Sequence, residues 1–404
     1  MNASTPTQSL LSRRSLLAGA AASVAASLLG CGGGDGLAGV GTGGTGSFSS
    51  GPIRGFGSIV VNGVRYDEAS AQVVGDAGAA FSRTDLRLGM VVDVNGSDVT
   101  TSGTGQRRAT ATSISVRSEI EGPISTIDPG RGSFTVLGQQ VQVTAATVFD
   151  DDLRGGLASL AVGQIVEVYG YQQAAGQYLA TRIDDEDDTP THYKLRGVVS
   201  GLDTTARSFR IGATLVSYAE IAGAVPGLAN GQYARVELQL TPAASGAWRA
   251  RRIQVAGTAI GVPQAGSVKA EIEGYITAFT SSARFSVHGV TVDASGVARL
   301  PTGLALGRLV EVEGVLANGV LVADSVEIED DGDDDGKFEI EGAIASVSPG
   351  TRSFVVHGVT VDYATARFKG GTVEQLAAGV KVEVEGLLAS DGTTVVATEI
   401  EFDD

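Results

Sequence analysis

A pattern that recurs five times sets the size of the folding unit in this 404-residue chain. In each copy a leucine, two variable residues and a glycine lead into a short run with alternating apolar positions. The copies are LRLGMVVDV from Leu86, LAVGQIVEV from Leu160, LANGQYARV from Leu228, LALGRLVEV from Leu304 and LAAGVKVEV from Leu376. Successive leucines are 74, 68, 76 and 72 residues apart, which is the length of a small domain. The sequence therefore predicts five tandem domains.

Two further elements recur within each unit. A second segment alternates apolar and polar residues around a glycine-containing pair, and this pattern predicts a β-hairpin. Its copies are SIVVNGVRY from Ser58, SFTVLGQQV from Ser133, SFRIGATLV from Ser208, RFSVHGVTV from Arg284 and SFVVHGVTV from Ser353. The opening segment reads SEIEG at Ser118, AEIEG at Ala270 and FEIEG at Phe338, with weaker copies YKLRG at Tyr193 and GPIRG at Gly51. Because side chains alternate along a strand, we expect the opening glutamates to face water and the isoleucines to face a core.

These elements predict an all-β fold of five tandem small OB-like β-barrels, with about five strands in each. Closure into a barrel removes the exposed edges of a flat sheet, and a small sandwich is the alternative. The 57 glycines and the short runs rich in Val, Thr and Ile agree with strands and tight turns. Each barrel is expected to complete its own core. The predicted barrels are residues 52–118, 119–188, 189–257, 258–330 and 331–404.

Two of the three histidines lie in near-identical segments, FSVHGVTVD and FVVHGVTVD. In place of these residues, His288 and His357, the sister units have Asn62, Leu137 and Gly212. Leucine and glycine cannot do imidazole chemistry, so a scaffold role at the hairpin turn is favoured over a ligand role. The third histidine, His192, is interpreted as an exposed linker residue.

The N-terminal residues 1–30 are predicted to be a signal peptide. Their segment SRRSLL resembles a twin-arginine export signal, and the apolar run that follows is shorter than the roughly 20 residues that span a bilayer. The run ends in LLGC, which resembles a lipobox, so Cys31, the only cysteine, is predicted to carry the lipid that anchors the protein to a membrane. A secretory signal that is cleaved elsewhere is the alternative. Residues 31–51 have the composition of a flexible Gly-rich tether.

Residue Gly32 follows the cysteine where an aspartate would favour the inner membrane. We therefore expect the protein to be exported and lipid-anchored in the bacterial cell envelope, at the outer membrane.

The sequence contains none of the common catalytic motifs, such as a nucleophile elbow, a His-Glu-x-x-His helix or a Walker loop. No catalytic residue is predicted. The formal net charge of -17 repels phosphate backbones, which disfavours nucleic acid as a partner. Close carboxylate pairs such as Glu311 with Glu313 are interpreted as solvated strand faces. The basic run WRARR, from Trp248 to Arg252, is either a contact for a small anion or partner or the exposed face of a closing strand.

Acidic runs lie at two of the junctions between units. In IEDDGDDDG the alternating residues Asp331, Asp333 and Asp335 match the first half of a calcium loop. The position of its bidentate glutamate is occupied by Gly342, and the flanking segments are typical of strands. Calcium as a cofactor and a solvated acidic linker both remain open. The run DDEDD, residues 184–188, lies at the corresponding junction between the second and third units, which favours the linker.

The stretch GFGSIVVNGVRYD, from Gly55 to Asp67, follows a Gly-Thr-rich tether and resembles an uncharacterised family of tandem OB-like domains in proteobacterial envelope lipoproteins. The resemblance covers residues 52–404 and implies the fold and the location, but no catalytic residues. The third unit departs most, with KLRG for EIEG and Ala234-Arg235 for Val-Glu.

The expected function is that of a membrane-anchored, non-enzymatic binding or spacer module. Its expected partners are the membrane, through the lipid, and an envelope protein or a glycan. A calcium- or glycan-binding surface protein is the alternative, and an unrecognised envelope enzyme is a third hypothesis.

Overall fold

The computed structural model describes residues 46–75, 80–103, 105–186, 190–263, 266–329 and 337–402. Within these ranges the chain forms five successive groups of strands, which we call barrels 1 to 5. Barrel 1 contains β1 (Ser47–Pro52), β2 (Gly55–Phe56), β3 (Ile59–Val61), β4 (Val64–Asp67), β5 (Gln72–Val74), β6 (Val91–Gly96), β7 (Thr100–Thr101) and β8 (Arg107–Arg117). Barrel 2 contains β9 (Ile120–Asp128), β10 (Ser133–Val136), β11 (Gln139–Gln142), β12 (Val148–Phe149), β13 (Ile165–Ala174) and β14 (Gln177–Asp185).

The other three barrels follow in the same manner. Barrel 3 contains β15 (Tyr193–Asp203), β16 (Ser208–Ile211), β17 (Thr214–Ser217), β18 (Tyr233–Leu238) and β19 (Trp248–Ala256). Barrel 4 contains β20 (Ser267–Ser281), β21 (Arg284–Val287), β22 (Val290–Asp293), β23 (Leu309–Ala317) and β24 (Val320–Ile328). Barrel 5 contains β25 (Lys337–Ala343), β26 (Ser346–Ser348), β27 (Ser353–Val356), β28 (Val359–Asp362), β29 (Arg367–Lys369), β30 (Lys381–Leu388) and β31 (Thr394–Phe402). In the described residues four short 3-10 turns accompany the strands, at Arg83–Asp85, Asp151–Leu153, Gly156–Ser159 and Val373–Gln375.

All five barrels close by the same order of strands. In barrel 2 the opening strand β9 pairs antiparallel with β10 and with β13, and β11 pairs parallel with β14, which returns antiparallel to β13. Barrels 3 and 4 repeat this circuit. In barrels 1 and 5 the opening strand is broken into two pieces, β1 with β2 and β25 with β26. The all-β class and the small closed barrels are therefore confirmed.

The two strands that follow the opening strand, or its two pieces in barrels 1 and 5, form the predicted hairpin of each barrel. Its two-residue turn has positive φ at both positions in four of the barrels, as in His288 at 51° and Gly289 at 79°. This is the turn whose twist matches that of the flanking strands. The phenylalanine that begins the hairpin in barrels 2 to 5 is buried, at Phe134, Phe209, Phe285 and Phe354.

The hydrophobic cores do not follow the predicted boundaries. One cluster of buried side chains joins barrels 1 and 5, and a second joins barrels 2 and 3. The third lies in barrel 4 and includes Phe48 of barrel 1 and Ile260 of the segment between barrels 3 and 4. The expectation that each barrel completes its own core is therefore wrong, because apolar residues of neighbouring barrels pack together. All five barrels belong to one compact unit.

The N-terminal boundary of barrel 1 also differs from the prediction. Residues 47–51, predicted as the end of the tether, form most of β1 and are buried between β6 of the same barrel and β20 of barrel 4. The segment SFSSGP has few residues with a preference for strands, so its sequence gave no signal of this role. Its burial comes from partners that are distant in the chain. No helix in the described ranges is both long enough and apolar enough to cross a bilayer.

Candidate functional site

The hairpin turn of each barrel lies against the glycine that ends the opening motif. In barrel 4 the His288 Nε2 donates to the Glu273 carbonyl oxygen at 3.0 Å, and in barrel 5 the His357 Nε2 donates to Glu341 at the same distance. In barrel 1 the Asn62 amide donates to the carbonyl oxygen of Ser50 at 3.2 Å. Two kinds of side chain, the imidazole in barrels 4 and 5 and the amide in barrel 1, thus satisfy one equivalent backbone oxygen, which supports the scaffold interpretation of the histidines.

Barrel 3 has Gly212 at this turn position and lacks a side chain to fill it. There the hydroxyl of Tyr178, from barrel 2, donates to the Arg196 carbonyl oxygen at 2.6 Å. In barrel 2 the turn residue Leu137 packs over Gly122 instead. The neighbouring barrel therefore supplies the donor that the turn of barrel 3 does not.

The position of His288 makes its stability contribution sensitive to pH. Burial, together with the nearby Arg117 guanidinium, lowers the pKa of His288 to about 4, while the Glu273 carbonyl and the Asp93 carboxylate oppose this shift. The Tyr171 ring packs against the imidazole at 5.4 Å between centroids. An unfolded histidine titrates near pH 6.5, so the unfolded state binds more protons between pH 6.5 and 4, and stability is lost as the pH falls through that window.

Replacing His288 with asparagine, as in barrel 1, removes this titration and keeps a donor in the turn. At pH 5.5 the wild type should lose about 1.5 kcal/mol relative to pH 7.5 through His288, and the H288N variant should not. Urea unfolding of both proteins at the two pH values measures the difference. H192N is the control, because His192 is only partly buried and lies outside the barrels. An equal loss in wild type and H288N would remove His288 as the cause.

The charged residues of the opening motif lie directly opposite those of the Leu-x-x-Gly strand. Like charges opposite each other on a sheet are destabilising unless a counter-charge lies between them. In three barrels the opposed residues are both glutamates, in barrel 1 they are Ser50 and Asp93, and in barrel 3 they are both arginines. The glutamate pairs are Glu121 with Glu167, Glu273 with Glu311 and Glu341 with Glu383.

Each glutamate pair contacts a cation from another barrel. Lys194 of barrel 3 lies 2.5 Å from Glu121 and 2.9 Å from Glu167 of barrel 2. Burial acts against the charge of this ammonium, but the two carboxylates raise the pKa of Lys194 above its usual value. The contact is built into the sheet, since Lys194 is paired with Glu121 where β15 runs antiparallel to β9.

The junction between barrels 1 and 5 is organised in the same way. Arg65 on β4 is almost fully buried and contacts Glu339, Glu341 and Glu383 of barrel 5. Burial and the neighbouring Glu383 raise the pKa of Glu339, while Arg65 opposes that rise. One guanidinium therefore holds three carboxylates that would otherwise repel one another.

The junction between barrels 1 and 4 carries two cations. Arg107 of β8 makes a bidentate pair with Glu271, with both N···O distances 2.8 Å. Arg54 lies 3.7 Å from Glu273, which also accepts a hydrogen bond from the Tyr171 hydroxyl of barrel 2 at 3.1 Å. Burial and the neighbouring Glu271 raise the pKa of Glu311 well above its ordinary value. The raised pKa favours the neutral form of this carboxyl, which lowers the repulsion in the cluster.

The expectation that the opening glutamates face water is therefore wrong for barrels 2 and 4, whereas Glu339 and Glu341 of barrel 5 are about one third exposed. Glu271 and Glu273 are 4% and 6% exposed, and Glu119 and Glu121 are 3% and 7% exposed. The physical reason is that the outer edge of each opening strand is covered by another barrel: β1 pairs parallel with β20, β2 with β25, and β9 antiparallel with β15. The sequence contains one indication of these contacts, because the change from EIEG to KLRG in the third unit places a positive charge where the other units have a negative one.

The predicted lipid and calcium residues, Cys31 and Asp331, Asp333 and Asp335, lie outside the described residues. The acidic run at residues 184–188 is only partly described, and its beginning is not a solvated linker. Asp184 is the next-to-last residue of β14 and pairs with Arg182 at 2.5 Å, and burial raises the pKa of Asp184 to about 6. Across the described ranges no cluster of three or more His, Cys, Asp or Glu side chains could hold a metal ion.

The basic run WRARR forms the first half of β19, on the outside of barrel 3. Its arginines contact their own barrel or the segment before it: Arg249 lies 3.8 Å from Glu220, Arg252 lies 3.6 Å from Glu237, and Arg251 donates to the Thr191 carbonyl oxygen. These contacts fit the face of a closing strand better than a dedicated binding site.

Comparison with known proteins places three of the barrels in a family. No curated protein matches the chain. Residues 121–184, 273–327 and 341–401 match the family model of a domain of unknown function, DUF5666. These regions fall in barrels 2, 4 and 5, whose opening strands carry the EIEG motif. Three regions of the chain thus match the model of an uncharacterised family, the domain of unknown function DUF5666, and this is consistent with repeated domains of one kind.

Proposed function

We propose that this protein is a lipid-anchored component of the bacterial envelope whose five barrels act together as one rigid, non-enzymatic module, a spacer or a carrier of a binding surface. The observation that carries the proposal is that the glutamates of the EIEG motif contact other barrels. These glutamates contact Lys194, Arg65, Arg107 and Arg54 from neighbouring barrels instead of facing an open cleft. The glutamates that recur in barrels 2, 4 and 5 thus serve assembly.

A rigid module follows from the kind of contacts at these junctions. Backbone pairing of opening strands, shared apolar clusters and buried ion pairs all cross between barrels. Buried charges that lose their partner are costly, so relative movement of the barrels is opposed. The non-enzymatic role is supported by the same fact, because the converging titratable groups are paired with one another.

The anchoring part of the proposal is supported by the resemblance of Leu28-Leu29-Gly30-Cys31 to a lipobox and by the absence of any other cysteine in the sequence. We expect the wild-type chain, expressed in a bacterium with an outer membrane, to fractionate with membranes, and the C31S variant to appear in the soluble envelope fraction. Stable anchoring requires more than one acyl chain, at about 0.8 kcal/mol for each buried methylene. G33S, which keeps the thiol, is the control. Membrane retention of C31S equal to that of wild type would refute the lipid anchor.

A further inference from the structure

In three barrels an extra short strand pairs parallel with the second half of the last strand. These pairs are β5 with β8 in barrel 1, β12 with β14 in barrel 2 and β29 with β31 in barrel 5. Each extra strand lies on the same side of the last strand as the second strand of the hairpin, which pairs with its first half. These three barrels therefore cover this edge with their own chain.

Barrel 4 lacks such a strand in the described part of the chain. Its last strand, β24, pairs along one side with β23, and on the other side with β22 only at residues 320–322. The edge of residues 323–328 on that second side has no backbone partner among the described residues. An unpaired edge offers a row of N–H and C=O groups to another extended chain.

The sequence explains why barrel 4 does not cover this edge itself. Barrel 5 forms β29 within the segment ARFK, whereas barrel 4 has ARLP at the corresponding place. A proline has no N–H to donate and restricts the residue before it, so Pro301 disfavours a paired strand here. Barrel 3 also lacks the extra strand, and its corresponding segment contains Pro226.

An open groove of about 520 Å³ lies along the uncovered edge of barrel 4. Val326 to Ile328 of β24 form one wall, and the loop from Arg299 to Thr302 forms the other. Leu300 and Ile328 are partly buried and pack against the core of barrel 4, so the groove has an apolar floor. Its volume is in the range of about 300 to 1,000 Å³ that is typical of ligand sites. A short extended segment therefore has space beside the edge.

Two arginines give this groove its charge. Arg299 and Arg308 line it, and within the described ranges neither guanidinium has an ion-pair or hydrogen-bond partner. Glu327 is the carboxylate that lines the groove with them. In barrel 3 the corresponding segment, residues 219–230, has no basic residue. Barrel 4 therefore differs from barrel 3 by two guanidinium groups that an acidic segment would complement.

We propose that this groove is a strand-addition site for an extended acidic peptide segment of another protein. The backbone of the peptide pairs with the free edge of β24, as β29 pairs with β31 in barrel 5, and its carboxylates contact Arg299 and Arg308. In this mode of recognition main-chain hydrogen bonds give affinity and alternate side chains give specificity. The inference rests on the proposed module for its binding surface, but failure to bind a peptide would leave the spacer role and the lipid anchor intact.

Fluorescence anisotropy of the full chain in detergent tests the proposal with three labelled peptides, each about eight residues long. The first alternates valine and glutamate, the second has lysine in place of glutamate, and the third is the acidic peptide with all of its backbone nitrogens methylated. We expect saturable binding of the first peptide alone. The second peptide tests the charge, and the third tests the main-chain hydrogen bonds.

The double variant R299Q/R308Q should weaken binding of the acidic peptide about tenfold, which is the combined effect of two exposed ion pairs. R284Q is the control, because Arg284 is an exposed arginine of the same barrel on β21 and outside the groove. Its affinity should equal that of wild type. Equal weakening in the control and the double variant would mean that the peptide responds only to the overall charge of the protein.

A change at Ile328 tests the edge itself. The N–H of the next residue, Glu329, donates to the Leu309 carbonyl oxygen of β23, so the N–H of Ile328 faces the open side. I328P removes this donor and should abolish binding, whereas I328V keeps it and should bind within about twofold of wild type. Circular dichroism and melting temperature establish that each variant is folded. The proposal is overturned if the acidic peptide does not bind saturably, or if its methylated form binds equally well.

Discussion

Replacing Arg65 with methionine is expected to lower the free energy of unfolding by about 3 to 5 kcal/mol at pH 7, because it leaves three carboxylates of barrel 5 without their counter-ion. The methionine retains much of the apolar stem of the arginine, so the main loss is the charge. The side chain of Arg65 is only 5% exposed, and the affected carboxylates belong to Glu339, Glu341 and Glu383. The three carboxylates are 23% to 36% exposed, so water would hydrate them only in part once the guanidinium is lost.

The pH dependence of this variant identifies the cause. With Arg65 removed, the folded-state pKa of the clustered glutamates rises, so the folded state binds more protons than the unfolded state as the pH falls towards 4.5. The deficit of R65M relative to wild type should shrink over that interval. Urea denaturation at pH 7 and pH 5 measures it. R131M is the control, because the Arg131 pair with Asp128 is highly exposed and should contribute less than about 1 kcal/mol. A deficit that does not depend on pH would point to lost packing rather than unpaired charge.

The second large effect is expected from replacing Gly274 with alanine, which should lower the free energy of unfolding by about 3 kcal/mol. A Cβ atom at this position would lie 2.0 Å from the His288 Nε2, far inside van der Waals contact. The imidazole cannot move away without cost, because it is buried and bonded to the Glu273 carbonyl oxygen. The glycine of the opening motif is thus required by the side chain that packs on it.

A second substitution separates this steric cause from a backbone effect. In the H288G background the space above residue 274 is empty, and glycine accepts the positive φ of the turn without strain. Barrel 3 has glycine at both of the equivalent positions, Gly197 and Gly212. G274A should then cost less than about 1 kcal/mol in a urea denaturation cycle. G296A is the control, since a Cβ at Gly296 meets no atom within 4 Å. An unchanged cost in the H288G background would exclude the overlap as its origin.

The hairpins and the small barrels could be predicted because their signals are local. The alternation from Phe285 to Val292 and the turn at His288 depend on residues a few positions apart, and the structure has the same strands and turn there. The Leu-x-x-Gly copies likewise precede one strand in each barrel. Period-two patterning and turn chemistry are sufficient for this level of structure.

The junctions could not be predicted, because their partners are far apart in the chain. Arg65 and Glu341 are separated by 276 residues, and the local sequence around either residue does not predict its contact with the other. The alternation of the EIEG motif shows two faces but not whether the polar face meets water or another barrel. The weak copy GPIRG was also misplaced, since Ser50, four residues before Arg54, occupies the position equivalent to Glu273. Cys31 and the aspartates from Asp331 to Asp335 remain sequence predictions.

Because every opening strand is covered by another barrel, the gain or loss of a single repeat would disturb the barrels that it contacts. Barrel 1 pairs with barrel 4 through β1 and with barrel 5 through β2. Barrels that are adjacent in space are therefore not always adjacent in the chain. Loss of a single repeat would expose the opening strand of the barrel that it covers. A duplicated repeat would carry acidic or basic residues on its opening strand with no residues of opposite charge to pair with. The number of repeats thus depends on matching charges between repeats that are not adjacent in the chain. We therefore expect repeats to be gained or lost in pairs whose opening strands carry opposite charges.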